Sequence, residues 1–230
     1  MNAPSKLLLF DIDGTMLKAP SGQVLIETIA EQLGRPIDNH HEIYLGGTDL
    51  TVVPELLERN NIQVEDVDAF TQIVLQDYDQ RVTSALEAPG KVRLLEGTKA
   101  LVEYLNELPQ FALGLVTGNT KVGAYAKLTP PGLADYFKFG AFGDDHGNRD
   151  LLPPLAVDRA NQHHDTEFFK ENTWIIGDTQ KDIRCAKANG LRCLAVASGW
   201  IDADTLQQHE PDAVMHDLSN IEQVLEILNR

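Results

Sequence analysis

Leu7-Leu8-Leu9-Phe10-Asp11-Ile12-Asp13-Gly14-Thr15 is the stretch that decides the fold of this 230-residue chain. Its first four residues form a short apolar run, which is typical of a strand buried on both faces of a parallel sheet. Two carboxylates and a glycine follow at once, as in a turn at the carboxyl end of such a strand. Open parallel sheets bind ligands at that edge, so this stretch predicts both a sheet and the place of its site.

Further apolar runs of the same kind recur along the chain, and helical patterns alternate with them. The other predicted strands are Ala112–Val116, Thr173–Ile176, Cys193–Ala197 and Ala213–Met215. The alternating helical patterns are Thr98–Leu108, Asn119–Leu128, Thr179–Asn189 and Ser219–Leu228, the last with Ser219 and Glu222 at capping-box spacing. This alternation predicts an α/β fold with a doubly wound, Rossmann-like parallel-sheet core.

The stretch between the first two predicted strands breaks the alternation. It carries three amphipathic helical patterns, at Gln23–Leu33, about Asp49–Arg59 and Val64–Leu86, with Pro54 expected in the first turn of the second. Its length of about seventy residues far exceeds the dozen or so that a crossover needs. We therefore expect an inserted all-helical cap domain at 18–93, on an α/β core formed by 1–17 and 94–230.

The composition of the chain indicates which kind of protein it is and which kinds of partner it is not expected to bind. The chain is 43% hydrophobic and 23% charged, as is usual for a globular protein, and its net charge of −16 argues against nucleic acid as a partner. No apolar run approaches the roughly twenty residues of a membrane span, and the first is too short for a signal peptide. With two cysteines expected to be reduced, these features predict a cytoplasmic protein with no membrane partner. They leave the oligomeric state open.

Acidic and hydroxyl side chains follow three of the predicted strands. Four carboxylates at one sheet edge raise one another's pKa values unless a cation neutralises them. Oxygen ligands suit Mg²⁺, which takes one or two carboxylates and keeps positions for phosphate oxygens. Each cluster alone is equally typical of a turn or a helix cap. Their coincidence at one edge predicts a magnesium site among Asp11, Asp13, Thr117, Gly118, Asn119, Asp178, Thr179 and Asp182.

These clusters resemble the motifs of the haloacid dehalogenase superfamily of hydrolases, in its phosphoglycolate-phosphatase-like branch. The segments that carry the resemblance are Asp11-Ile12-Asp13-Gly14-Thr15, Val116-Thr117-Gly118-Asn119 and Gly177-Asp178-Thr179-x-x-Asp182-Ile183. Their order and spacing match the family over essentially the whole chain, and the helical insert stands where the family has a cap domain. The resemblance implies a phosphoric monoester hydrolase that acts on a small phosphorylated metabolite with Mg²⁺.

The resemblance also implies a role for each acidic residue. Asp11 attacks phosphorus and forms an aspartyl-phosphate, while Asp13 protonates the leaving alcohol and then activates water. The metal is held by Asp11, the backbone carbonyl of Asp13 and the carboxylate of Asp178. Asp182 orients metal-bound water and is not itself a metal ligand.

Phosphate binding is implied for the hydroxyl of Thr117 and for the amides of Gly118 and Asn119 near a helix N-terminus. The family's third motif usually offers a lysine shortly before a helix, but 146–154 contains none. Arg149 is the expected substitute, since a guanidinium can hold both a phosphoryl oxygen and a carboxylate. An exposed loop arginine is the open alternative. If Arg149 is that group, Arg149→Ala is expected to lose turnover with its fold intact.

Several alternatives remain at this point. Lys121 and Lys181 are rival cations, each expected to face solvent one turn into a helix. A sugar phosphomutase of the same superfamily is a second function, although mutases of the family usually have a hydrophobic residue where Thr15 stands. A non-catalytic, phospho-accepting regulatory relative is the third, and such a protein is expected to lack one of the acidic residues. The substrate itself is not predicted, phosphoglycolate being the nearest family candidate.

Overall fold

The computed structural model describes residues 3–230, so the predicted core range extends two residues beyond it at the N-terminus. The strands are β1 (Lys6–Phe10), β2 (Leu17–Lys18), β3 (Arg93–Leu94), β4 (Phe111–Val116), β5 (Gly140–Ala141), β6 (Thr173–Gly177), β7 (Arg192–Val196) and β8 (Ala213–Met215). The helices are α1 (Ser21–Leu33), α2 (Asp49–Arg59), α3 (Val67–Leu86), α4 (Thr98–Glu107), α5 (Lys121–Leu128), α6 (Leu152–His164), α7 (Gln180–Asn189), α8 (Ala203–Gln207) and α9 (Ile221–Leu228).

The main sheet has six parallel strands in the order β5-β4-β1-β6-β7-β8. The chain starts in its middle at β1, builds outward through β4 and β5, and then continues on the other side of β1 through β6. The strand order therefore reverses beside β1, which is where open α/β sheets bind ligands. The five predicted strands and the doubly wound fold class are confirmed. The missed strand β5 has only two residues, too few for a pattern.

Helices cover both faces of this sheet. One apolar cluster joins α4, α5 and α9 to inward side chains such as Phe10, Leu115 and Ile176. The other joins α6, α7 and α8 to the opposite face, through side chains such as Leu9 and Ile175. Residues Leu7–Phe10 of β1 point alternately into the two clusters, so this apolar run is buried on both sides.

Two local predictions were wrong. Helix α9 begins at Ile221, and its cap is Asn220, whose side chain accepts from the N–H of Gln223; the hydroxyl of Ser219 instead donates to Asp217. The predicted capping box therefore does not form. Pro54 is the sixth residue of α2 and lies beyond its first turn, so it removes one backbone hydrogen bond from the helix interior.

Helices α1, α2 and α3 form most of a third apolar cluster, which Ala126 of α5 also joins. The chain enters this helical segment through β2 and leaves it through β3, and these two strands pair antiparallel. The segment reaches the edge of the main sheet, where the amide of Asp49 donates to the carbonyl of Gly118 over 2.7 Å. A Cβ at Gly118 would lie 1.8 Å from the carbonyl oxygen of Gly47, so only glycine permits this approach. The division into a cap domain and a core stays a prediction.

Neither cysteine is paired: Cys185 and Cys193 are both buried free thiols. Among the helices of residues 3–230, none combines the length and apolar character needed to cross a bilayer.

Candidate active site

The site lies at the carboxyl ends of three adjacent strands, β4, β1 and β6. Asp11 and Asp13 follow β1, Thr117 follows β4, and Asp178 follows β6. Thr117 and Asp178 are buried, as is Asp11, whereas the side chain of Asp13 is 42% exposed. The fold therefore places one acid deep in the site and a second, two residues on, where it meets solvent.

Three carboxylates converge in this pocket, those of Asp11, Asp178 and Asp182, with oxygen atoms within 4.8 Å of one another. Burial raises the pKa of Asp11 to about 6, although the positive charge of Arg149 opposes this rise. Burial, together with the charges of Asp11 and Asp182, also raises the pKa of Asp178 well above its usual range. These acids repel one another in a poorly solvated place, and the buried cluster can hold a divalent cation that relieves this.

The surroundings of Asp178 leave room around one of its oxygens. Its Oδ1 accepts a hydrogen bond from the hydroxyl of Thr15 at 3.1 Å. A Cβ placed on Gly14 would lie 2.2 Å from Oδ2, and one on Gly199 would lie 1.7 Å from it. The two glycines therefore make the space in which this carboxylate sits, and Gly14 additionally adopts a left-handed conformation with φ of 79°.

Asp182 differs from its two neighbours because both of its oxygens are already engaged. Oδ1 accepts from Arg149 at 2.5 Å, and Oδ2 accepts from the amide and the hydroxyl of Thr179 at 3.0 and 2.6 Å. The Thr179 contacts form the capping box that starts α7. Asp182 is thus suited to orient its neighbours and poorly placed to ligate a metal itself.

Arg149 is buried at the candidate site: its side chain is only 3% exposed and lines the same pocket. Nη2 lies 3.2 Å from Oδ1 of Asp11 and 2.5 Å from Oδ1 of Asp182. It begins a one-turn helix in which the amide of Asp150 donates to the side chain of Asn148. The alternative of an exposed loop arginine is therefore wrong, and the guanidinium stands beside the carboxylate that the motifs single out.

Lys127 is a second buried cation at the candidate site, and the sequence analysis did not single it out. It lies on α5, its side chain is 2% exposed, and Nζ donates to Oδ2 of Asp13 and to Oδ1 of Asn119, each at 2.5 Å. A signal was present in the sequence, because Lys127 stands between Ala126 and Leu128 on the apolar side of a helix. An isolated lysine on such a stripe is almost never buried without a partner.

The two rival lysines do not reach these acids. Lys121, at the start of α5, is exposed as expected, and its amide rather than its ammonium contacts Asp144. Lys181 is half-buried, with its stem packed close to Gly46.

The segment after β4 completes a polar network around Asp13. Asn119 donates from Nδ2 to Oδ2 of Asp13 at 2.8 Å and to Oγ1 of Thr117 at 2.7 Å. Thr120 then caps α5, accepting from the amide of Gly123. The Thr117 oxygen accepts in these contacts, so its hydroxyl proton is free to be donated to a ligand.

Arg149→Ala is expected to lower the stability of the protein by about 3–5 kcal/mol, because it leaves Asp182 charged and buried without its partner. This differs from the expectation, drawn from the sequence, that the substitution would leave the fold intact. Thermal unfolding is the measurement, and the melting temperature should fall by about 6–20 °C. Arg184→Ala is the matched control, since Arg184 pairs with Asp150 on the surface and should matter by less than about 1 kcal/mol. An equal effect of the two substitutions would contradict the buried ion pair.

Comparison with known proteins finds a matching family model and several relatives. The family model described as haloacid dehalogenase-like hydrolase matches residues 8–196. A phosphoglycolate phosphatase from Vibrio cholerae is 24% identical over 227 residues, covering 96% of each protein. A predicted phosphoglycolate phosphatase from Haemophilus somnus superposes with a TM-score of 0.70 at 19% identity, covering 96% of this chain and 98% of that one. A putative beta-phosphoglucomutase from Thermotoga maritima gives 0.61 at 20% identity, covering 96% and 98%.

Proposed function

The chain belongs to the haloacid dehalogenase-like hydrolases, and from this premise we propose that it is a Mg²⁺-dependent phosphatase acting through an aspartyl-phosphate. The observation that carries the proposal is the pairing of two acids at the end of β1. Asp11 is buried beside a guanidinium, and Asp13 stands at the solvent side beside an ammonium. One acid is thus placed to attack a bound phosphoryl group and the other to exchange protons with the alcohol and water.

The reaction divides into two displacements at phosphorus. In the first, a carboxylate oxygen of Asp11 bonds to phosphorus as the ester oxygen leaves with a proton from Asp13. In the second, Asp13 takes a proton from a water molecule, whose oxygen attacks phosphorus and frees Asp11 and inorganic phosphate. Lys127 and Asn119 hold the carboxylate of Asp13 in place for both proton transfers.

The phosphoryl oxygens are held by groups from β4 and by the two cations. Thr117 offers its hydroxyl, and the amides of Gly118 and Asn119 lie at the approach to the N-terminus of α5. Nε of Arg149 is buried and has no hydrogen-bond partner among the residues described, so it is a donor available to a phosphoryl oxygen. Phosphoryl transfer depends mainly on such positioning and charge stabilisation.

The donor set fits Mg²⁺. Asp11 and Asp178 offer carboxylate oxygens, and the backbone carbonyl of Asp13 is the third proposed ligand. When bound, the ion supplies positive charge that neutralises these acids and polarises the phosphoryl group. Asp182 is assigned a supporting role rather than that of a metal ligand, because both of its carboxylate oxygens already accept hydrogen bonds, from Arg149 and from Thr179.

Mg²⁺ binding is expected to release protons near pH 6, because the metal competes with protons for Asp11, whose pKa is raised to about 6, and for Asp178. Titration calorimetry in two buffers of different ionisation enthalpy measures the release, which should shrink as the pH rises above about 8. Asp178→Asn should abolish most of it, whereas Asp135→Asn, at a fully exposed position, should not. Binding heats that are independent of the buffer would count against these ligands.

Release of inorganic phosphate from p-nitrophenyl phosphate and from phosphoglycolate, with and without Mg²⁺, tests the proposed function. The phosphomutase alternative is separated by assaying isomerisation of a sugar phosphate in the same samples. Thr15 is relevant to the phosphomutase alternative, because its hydroxyl donates a hydrogen bond to Asp178 and a hydrophobic residue at this position could not make that contact. A non-catalytic relative would release no phosphate from any activated ester, although it would retain the fold.

A further inference from the structure

A cavity of about 800 Å³ separates the catalytic acids from the helical segment. Its floor is the sheet edge. Its opposite wall is built from α1, α2 and the segment 39–47 that lies between them, together with Tyr78 of α3. Trp200, which is 75% exposed, lies at its rim. Ligand pockets usually enclose roughly 300–1,000 Å³, so this volume is large for a two-carbon acid and suits an alcohol the size of a sugar.

The charges of that wall disfavour an anionic leaving group. Among the described residues that line the cavity, the lysine and arginine side chains are Lys127 and Arg149, and both belong to the floor, where carboxylates already engage them. The wall instead carries two acids, Glu42 and Asp49. A carboxylate on the leaving alcohol would therefore meet two acidic side chains on the wall, where the basic side chain among the described lining residues is that of His41 rather than a lysine or arginine.

Two further cations lie close to the cavity but outside its lining. Arg59 lies close to the carboxylates of Glu42 and Glu55, at 4.0 and 3.6 Å, outside the cavity lining. Lys18, near the rim, has Nζ 4.6 Å from the centre of the Trp200 ring.

The wall also contains polar atoms to which a ligand could form hydrogen bonds. Oδ1 of Asn39 and the hydroxyl of Tyr44 are buried, line the cavity, and have no partner among residues 3–230. An amide oxygen can only accept, so Oδ1 needs a donor, which a hydroxyl provides and a carboxylate does not. Burial and the charge of Asp49 raise the pKa of Tyr44, which keeps its phenol neutral and able to donate.

We propose that the substrate is the monophosphate of a neutral, hydroxyl-rich alcohol of sugar size, whose hydroxyls bond to Asn39 and Tyr44. The inference rests on the proposed function and narrows its substrate class. It also separates this chain from a phosphoglycolate phosphatase, because the carboxylate of glycolate finds no lysine or arginine on the wall among the residues described.

The sharpest test compares two substrates that share a skeleton. Phosphoglycolate and 2-hydroxyethyl phosphate differ only in having a carboxylate or a hydroxymethyl group beyond the ester carbon. The wild-type enzyme with Mg²⁺ should show at least about tenfold higher kcat/KM for 2-hydroxyethyl phosphate, and higher values still for ribose 5-phosphate or glucose 6-phosphate. A preference for phosphoglycolate over 2-hydroxyethyl phosphate would overturn the proposal.

Tyr44→Phe provides an independent arm of the test. It should lower kcat/KM for the preferred sugar phosphate, relative to p-nitrophenyl phosphate, by about three- to tenfold, mainly through KM. Tyr104→Phe is the matched control, since Tyr104 is an exposed tyrosine on α4 outside the cavity. An unchanged ratio in a folded Tyr44→Phe protein would remove Tyr44 from the proposal. Failure of the proposed function looks different: no phosphate would be released from p-nitrophenyl phosphate either.

Discussion

Asp11→Asn is expected to reduce kcat for any phosphate monoester by at least about 10⁴-fold, because an amide does not form the aspartyl-phosphate. The protein should stay folded, since the substitution removes a charge from a crowded acidic cluster and keeps the side-chain volume. Initial rates of phosphate release at saturating Mg²⁺ provide the measurement.

Asp135→Asn is the matched control for this substitution. Asp135 is fully exposed and pairs only with Lys138, so its loss should leave kcat within about twofold of the wild type. Full activity in the Asp11→Asn protein would assign the nucleophile to another group. A loss of the same size in the Asp135→Asn protein would show that the assay responds to surface charge.

Lys127→Met is expected to lower kcat by about 10²–10³-fold, the loss typical of removing one group that stabilises developing charge. The ammonium is buried, contacts both Asp13 and Asn119, and faces the cavity where the phosphoryl group must lie. Methionine retains most of the side-chain volume on α5, so the comparison reports on charge rather than packing. Steady-state kinetics with p-nitrophenyl phosphate give the value.

Lys121→Met serves as the control for this variant, because Lys121 begins the same helix and is exposed. It should remain within about twofold of wild-type kcat. Near-normal turnover of the Lys127→Met protein would reduce Lys127 to a structural partner of Asp13. In that case Arg149 would be the only cation of the site assigned to the transferring phosphoryl group.

Much of this site could be predicted because its elements are local in sequence. Asp11 and Asp13 follow a strand directly, and Asp178 follows another, so the rule that ligands bind at strand ends was enough to bring them together. The five apolar runs were equally informative, because strands buried on both faces contain almost no polar residue.

The cations were harder to predict because their roles depend on tertiary packing. Arg149 could be found only through the resemblance, since a loop arginine and a buried one look alike in sequence. Lys127 lies on a helix eight positions beyond Asn119, and only the way α5 packs brings its ammonium to Asp13. The predicted cap of α9 was wrong for a different reason. Asn220 and Ser219 are both good N-cap residues, and the backbone geometry decides which of them caps the helix.

The two cations of the site, Arg149 and Lys127, contact different acids. Arg149 pairs with the carboxylate of Asp11 and with Asp182, while Lys127 pairs with Asp13. Asp11 and Asp13 therefore each contact a different cation, and the net charge of −16 over the whole chain need not prevent an anionic phosphoryl group from entering. Local charge, rather than net charge, decides binding at this short range.

Chemical trapping of the acyl phosphate tests the central claim most directly. The Asp13→Asn protein, supplied with p-nitrophenyl phosphate and Mg²⁺, should form the intermediate, because p-nitrophenolate leaves without a proton, and should hydrolyse it slowly without its base. Acid quenching, borohydride reduction and peptide mass spectrometry should then find homoserine at position 11. Phosphate release by the wild type, with position 11 unmodified and the label on another residue or on none, would contradict the account.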